Sequence, residues 1–395
     1  MHKSFKYRIY PTNQQIELLE KHFGSCRFVY NLALETKITA YQSVGKSLSA
    51  FELIKQITDL KKDCEWLKEV DSQALQQTIL DLEKAYSGFF KNKMGFPKFK
   101  SKSSGHQSFR DPRGNKIKIQ DGKIFQSKFR KGVKVRQDRP LEGVIKSSTI
   151  SKTPTGKYFV SILCDTGVET PLKKEIKHST SIGIDLGLSH FLITSEGANV
   201  DNPRFLKKLL DRIKVLQRRG SRKKKGSANS KKHQRKINIL HEKVANQRKD
   251  FLHKLSTNLI KNHDTICLET LKVQEMMKTR NLALSISDVG WSMFVEMLKY
   301  KGEWYGKNIL QIPTYEPSTK VCSVCGVINS KLTLADRSWT CTECNSEHDR
   351  DVNAAINIKN YYITPEGIGK EPVELPTVVG AWKQEKLNKQ GIAQN

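Results

Sequence analysis

Residues 341–358 read "CTECNSEHDRDVNAAINI". The stretch opens on a C-x2-C pair and, seven residues after Cys344, reaches Asp351 at the start of an amphipathic helix. A second pair, Cys322 and Cys325, stands upstream with residues 326–340 between the two. This is the spacing of a four-thiolate zinc ribbon, because two residues between ligands let a tight knuckle aim both sulfurs at one tetrahedral ion. Gly326 supplies the backbone freedom that turn needs. Asn345 holds the equivalent place in the second pair, and Asn is the next residue to tolerate positive φ. Zn2+ on Cys322, Cys325, Cys341 and Cys344 has no open position, so its expected role is structural. Extended chain of at most about 25 Å separates Cys344 from Asp351. A ribbon there limits where the helix bearing that acid can begin.

The chain has 395 residues, 69 of them Lys or Arg against 40 Asp or Glu, for a formal charge of +29. That length exceeds one ordinary core. That charge repels itself unless a polyanion shares the surface, so nucleic acid or an anionic membrane is the expected partner. No run of 18 apolar residues occurs, and the N-terminus has no apolar signal segment, which argues against membrane and secretion and for the cytoplasm. Cys26, Cys64, Cys164 and Cys267 are scattered and read as small core residues. In a cytosolic chain the clustered four favour metal over disulfides.

Outward from the cysteines the periodicity changes several times. "HKSFKYRIY" (2–10) alternates Phe5, Tyr7 and Ile9 against Lys6, Arg8 and Tyr10, as a strand does. Pro11 ends it, and Thr12 can cap a helix beginning at residue 13. From 13 to 92 apolar residues recur at spacings of three and four, as at Leu75, Ile79, Leu82, Ala85 and Phe89, which predicts helices. Residues 107–165 hold short strands around Asp121-Gly122 and Thr155-Gly156 turns, which suggests a small barrel interrupted by those helices. "SIGIDLGLSHFLITSEG" (181–197) gives two strands and 203–262 two long helices. "HDTICLETL" (263–271) is a buried strand ending at Glu269. A loop, a helix with Trp291 and Phe294, and the strand "NILQIP" (308–313) complete the pattern. Beyond about 365 a disordered tail is expected.

Asp185 closes the apolar run "SIGID", Glu269 closes "TICLE", and Asp351 opens a helix. Strand tips and helix starts are where acids remote in sequence converge. Three crowded carboxylates repel one another unless a divalent cation neutralises them, and oxygen ligands select Mg2+ or Mn2+. Two such ions about 4 Å apart activate water and stabilise the leaving oxygen of a phosphodiester. Any one of these acids alone reads as a solvated loop residue. Asp349 competes with Asp351, whose small neighbours Asn353 and Ala354 favour it by a modest margin.

In order along the chain stand "YRIYPTNQQ" (7–15), "GSCRFVYNLAL" (24–34), "GFPKFKSK" (95–102), "GIDLG" (183–187), "LETL" (268–271), the pairs "CSVCG" and "CTEC", and "HDRDVNAAINI" (348–358). Over nearly its whole length the chain resembles the TnpB proteins of insertion sequences and the related type V CRISPR effectors, its length favouring the former. The resemblance implies an α+β multidomain protein. An RNase H-like (RuvC) nuclease domain would span 178–316 and 346–364, with an inserted zinc ribbon at 317–345. A small β-barrel (wedge) domain at 1–12 and 106–172 would carry an inserted helical recognition domain at 13–105, and 365–395 would be the tail. It further implies Asp185, Glu269 and Asp351 as a catalytic triad holding Mg2+ (or Mn2+) in a prokaryotic cell. The partners would be a guide RNA from the transposon end and a double-stranded DNA target cut beside a short adjacent motif. Asn345 where Gly is usual and the weakly matching tail are the departures. Monomer and dimer both stay open.

Nucleic-acid contacts are expected at several places. Arg218, Arg219, Arg222, Lys223, Lys224 and Lys225 sit between two helices with few acids nearby, as a phosphate-tracking hairpin would; a solvated face is the plainer alternative. "GFPKFKSK" interleaves Phe96 and Phe99 with Lys98 and Lys100, rings for bases and cations for the backbone. A barrel-edge loop with its phenylalanines in the core fits equally. By resemblance to the family's front half, Tyr7, Tyr10, Arg27, Tyr30 and Asn31 would read a DNA motif. Arg27 and Asn31 lie one helical turn apart, with Phe28 and Leu32 read as core beside them. Besides a nuclease, the sequence admits a guided or unguided regulator that binds without cutting, which has no need of three acids. A strand-joining transposase is the third reading, and the ribbon before the third acid argues against it.

Overall fold

The computed structural model describes residues 1–92, 94–103, 107–314, 316–333, 335–364 and 367–368. They fall into two units, residues 1–171 with 205–250, and residues 172–204 with 251 onward. In the first, β1 (His2–Tyr10) leads into α1 (Asn13–Val44), α2 (Ala50–Asp63) and α3 (Ser72–Asn92). The chain then forms β2 (Gln107–Asp111), β3 (Lys118–Gln120), β4 (Lys123–Gln126), β5 (Phe129–Arg136), β6 (Val144–Lys152) and β7 (Tyr158–Asp165). Thr12 and Gln15 close a reciprocal capping box at the start of α1. Asp121 and Gly122 both take positive φ, 51° and 66°, the twist a two-residue hairpin requires.

The strand order is β2-β6-β7-β1-β5-β4-β3. Laid flat, such a sheet would hold its outermost strands about 29 Å apart. The chain from 111 to 118, which joins those same two strands, reaches at most about 25 Å, and part of it is coiled into a 3-10 turn at Gly114–Lys116. The sheet is therefore curled, as a small barrel must be. Helices and barrel share one core: Phe23, Val29, Leu75, Ile79 and Leu82 pack with Phe5, Ile9, Phe109, Val133 and Ile150.

In the second unit β8 (Ser181–Leu186), β9 (His190–Thr194) and β10 (Asn199–Asp201) form an antiparallel meander. The chain returns to the first unit for α4 (Phe205–Ser221) and most of α5 (Ala228–Asn262). The sequence reading counts this hairpin with the nuclease half. Its contacts bind it to the β6–β7 hairpin instead, through Lys157 to Glu242 at 2.9 Å and Asn238 Nδ2 to the Pro154 carbonyl at 3.2 Å.

After α5 come β11 (Thr265–Glu269), α6 (Val273–Met276), α7 (Arg280–Val289), α8 (Trp291–Tyr305) and β12 (Asn308–Ile312). A loop is expected before the aromatic helix; α6 and α7 form there, since Ile286 and Val289 give α7 a face to bury. β11 and β12 run parallel to β8, in the order β10-β9-β8-β11-β12, the arrangement of the RNase H-like fold. Alternate residues of β11 face opposite layers. Ile266 and Leu268 meet Leu252, Leu259, Phe294 and Leu298, whereas Cys267 meets Ile358 and Tyr362. Lys301 of α8 is buried and donates to the His253 carbonyl, Ser256 Oγ and Thr257 Oγ1 of α5 at 2.9, 2.7 and 2.7 Å. Burial pushes its pKa down to about 8.

The strands β13 (Ser338–Thr340) and β14 (Glu347–Asp349) and the helix α9 (Arg350–Asn360) come after the first cysteine pair. The tail expected at 365–395 lies outside the described residues, apart from 367–368. Among the described residues no helix is long and apolar enough to cross a membrane.

Candidate metal centres

Asp185 sits one residue from the end of β8, and Glu269 ends β11. The register pairs Leu268 with Ile184, which brings Glu269 level with Asp185 on the neighbouring strand. α9 lies directly on β8 because Gly183 has no side chain; a Cβ there would overlap the Ala355 carbonyl oxygen. That approach carries Asp351, in the first turn of α9, toward the strand tips. Burial, then the charge of Asp351, pushes the Asp185 pKa up to about 7. Burial, then the charge of Asp185, pushes Glu269 up to about 8. The charge of Arg350 and then the Leu186 backbone N–H partly offset the rise at Asp185, and the same N–H offsets part of that at Glu269. Asp349 is otherwise engaged: its Oδ1 caps α9, accepting from the N–H groups of Asp351 and Val352 at 3.0 and 2.9 Å.

Two cations that sequence reasoning misses meet Asp351. Arg350 pairs with Oδ1 at 2.8 Å and Arg337, from the ribbon, with Oδ2 at 3.3 Å. Their signal in the sequence is only the "DR" repeated at 336–337 and 349–350. A set of oxygen donors whose ionisation is opposed by burial and by mutual repulsion fits a divalent cation, which would favour the charged forms.

The four cysteine sulfurs lie within 4.8 Å of one another, and among the described residues the acids form no second cluster of that kind. Cys322 is 3.6 Å from Cys344 and Cys325 is 3.5 Å from Cys341. Four sulfurs around one zinc ion stand about 3.8 Å apart, so the set fits Zn2+. Both knuckles turn alike: the Gly326 N–H bonds to the Cys322 carbonyl at 2.9 Å and the Asn345 N–H to the Cys341 carbonyl at 3.0 Å. Gly326 has φ 77° and Asn345 φ 53°. His348, also unforeseen, brings Nε2 to 3.1 Å from the Cys322 sulfur.

The expected nucleic-acid residues separate. Tyr7 is only 1% exposed, with its hydroxyl donating to the Arg139 carbonyl at 3.2 Å. It faces the core with Phe5 and Ile9, so it is withdrawn as a contact. Tyr30 is buried too, beneath the Lys100 ammonium at 3.8 Å from its ring centroid, and is withdrawn likewise. Asn31 turns both ends of its amide to the Lys100 residue, donating to its carbonyl at 2.9 Å and accepting its N–H at 2.7 Å. Arg27 is half-buried beside a cleft of about 490 Å3 that Lys100 and Arg110 also line. Tyr10 is 46% exposed. Phe99 is 57% exposed, and Phe96 presents one edge to Tyr86 and Phe89. Lys98, Lys100 and residues Arg218, Arg219, Arg222, Lys223, Lys224 and Lys225 are exposed. Phe28, read as core, is exposed and stacks edge-on against Trp66.

The profile described as "Probable transposase" matches residues 161–280, a "Cas12f1-like, TNB domain" profile matches 291–358, and a "Helix-turn-helix domain" profile matches 1–46. A Streptomyces pristinaespiralis protein named "Putative RNA-guided DNA endonuclease" is 38% identical over 90% of this chain and 88% of its own length. The protein of the same name with the suffix InsQ, from Escherichia coli K12, is 33% identical over 90% of this chain and 91% of its own. The "TnpB-like protein L79" of Acanthamoeba polyphaga mimivirus is 25% identical over 92% and 74%. In fold, the chain is similar to the protein in a Cas12f1-sgRNA-target DNA complex, with a TM-score of 0.50 at 15% identity over 91% of this chain and 99% of that one. With two relatives this similar over about nine-tenths of their lengths, the chain belongs to the TnpB family.

Proposed function

We propose that the chain is an RNA-guided DNA endonuclease carried by a transposon, which hydrolyses double-stranded DNA beside a short adjacent motif at a RuvC-type site. The names of its relatives support the activity. The observation that carries the reading is the placement of the acids: Glu269 stands level with Asp185 on adjacent parallel strands, and Gly183 lets the helix that bears Asp351 lie directly on the first of them. Asp185, Glu269 and Asp351 would hold Mg2+ or Mn2+. Bound there, the metal would supply a Lewis acid for the phosphoryl oxygens and lower the pKa of the attacking water. The chain's own part is positioning. β8 and β11 fix two carboxyls side by side. Arg337 and Arg350 bring positive charge to the edge where a phosphodiester would lie. The zinc ribbon is structural, and the guide RNA, derived from the transposon end, selects the target by base pairing.

The test is to purify the protein from cells carrying its flanking DNA, sequence the RNA that co-purifies, and assay cutting of matching DNA. Asp185→Ala should reduce Mg2+-dependent cutting by about a hundredfold or more and leave RNA binding intact. Undiminished cutting by that variant would overturn the site assignment.

A further inference from the structure

Asn353 and Asn357 lie four residues apart on one face of α9 and turn their amides to the segment entering the first knuckle. Asn353 Nδ2 donates to the Val321 carbonyl at 2.7 Å, and its Oδ1 accepts the Ser323 N–H at 2.9 Å. These are the peptides on either side of the zinc ligand Cys322. Asn357 Nδ2 donates to the same Val321 carbonyl and to that of Ser318, both at 2.7 Å. Asn353 is 1% exposed. An amide is an expensive choice for a buried helix position that Leu or Ala would fill, unless its donor and acceptor are both needed. Here both are used, on the backbone of a metal knuckle, two residues from Asp351.

We propose that Asn353, supported by Asn357, is a positioning residue: it locks the first turn of α9 to the Cys322 knuckle, so that zinc occupancy sets the placement of Asp351. The function of the lock rests on the proposed role of Asp351, whereas the lock itself does not. The competing route is covalent, through β14 from the second knuckle. Asn353 bonds the peptides on both sides of Cys322, whereas Asn357 reaches only the one before it, and Asn353 is the shorter link.

Hydrogen exchange on the full-length protein separates the two routes. Stripping zinc with a chelator should speed exchange at residues 350–354 in the wild type. In Asn353→Ala/Asn357→Ala, exchange there should already be fast with zinc retained, and stripping should add little. Equal acceleration in both proteins, or none in the wild type, would overturn the lock. Asn357→Ala, which keeps both bonds of Asn353, should fall between them and covers the case in which the double variant does not fold. In cutting assays, the Asn353→Ala variant should need about 10–100-fold more Mn2+ and regain its rate at saturation. A merely destabilised protein would lose maximal rate without needing more metal, and that result would count against positioning. Should exchange show the lock while the metal requirement stays fixed, the role of Asp351 fails and the lock stands.

Discussion

At His22 both ring nitrogens are committed: Nδ1 donates to the Leu18 carbonyl at 2.8 Å, and Nε2 accepts the Asp71 N–H at 3.1 Å. The ring stacks on Phe109, 4.6 Å between centroids. Burial lowers its pKa more than Asp71 and Asp111 raise it, and Lys128 adds to the lowering. Arg113, bridging those two acids, blunts their pull further. With the folded value below the unfolded one of about 6.5, the unfolded chain takes up a proton that the fold refuses. Stability is therefore complete above pH 6.5 and lost as the pH falls toward the folded value. The urea midpoint of the full chain should drop between pH 7 and pH 5. His22→Gln should flatten that drop while costing about 1–3 kcal/mol at pH 7; parallel pH curves would refute the assignment. Legibility at this scale tracks the range of the interaction. The knuckle turns at Gly326 and Asn345 are local and can be read from spacing. Asn31 and Tyr7 answer to backbone groups at Lys100 and Arg139, remote in sequence, and none of their neighbours along the chain announces it.

Among the elements, α9 is the one whose placement decides the candidate site. It rests on β8 where Gly183 leaves room, with Ala354 and Ala355 buried along the contact. Gly183→Ala would drive a methyl into the Ala355 carbonyl and the Lys359 backbone. Such overpacking costs about 1–3 kcal/mol, and displacing Asp351 by roughly 1 Å should slow cutting about a hundredfold. Zinc content and RNA affinity should hold. Single-turnover cleavage alongside metal analysis checks this, and an unchanged rate would show that α9 tolerates the shift. "GIDLG" reads plainly as a strand ending in an acid, but the demand for glycine at 183 appears only once the helix is laid across it. α7 is hidden for a related reason: "RNLALSISDV" is short and half polar, and only packing against the β8–β11 sheet's core reveals its apolar face.

Across the whole molecule the excess of positive charge is the dominant electrostatic fact, and the α4–α5 turn is its densest exposed part. Each cation that neutralises an RNA phosphate releases counterions, contributing roughly 0.7 to the slope of log affinity against log salt. Neutralising Arg222, Lys223, Lys224 and Lys225 together should flatten that slope by up to about 3, as measured by RNA titrations between 50 and 200 mM salt. An identical slope would leave the turn a solvated face. The two units take their residues from interleaved stretches, and the three acids arrive at positions 185, 269 and 351. During translation, at 5–20 residues per second, roughly ten to thirty seconds pass between the first acid and the last. A nascent chain therefore displays most of its cationic surface well before it owns a complete set of carboxylates.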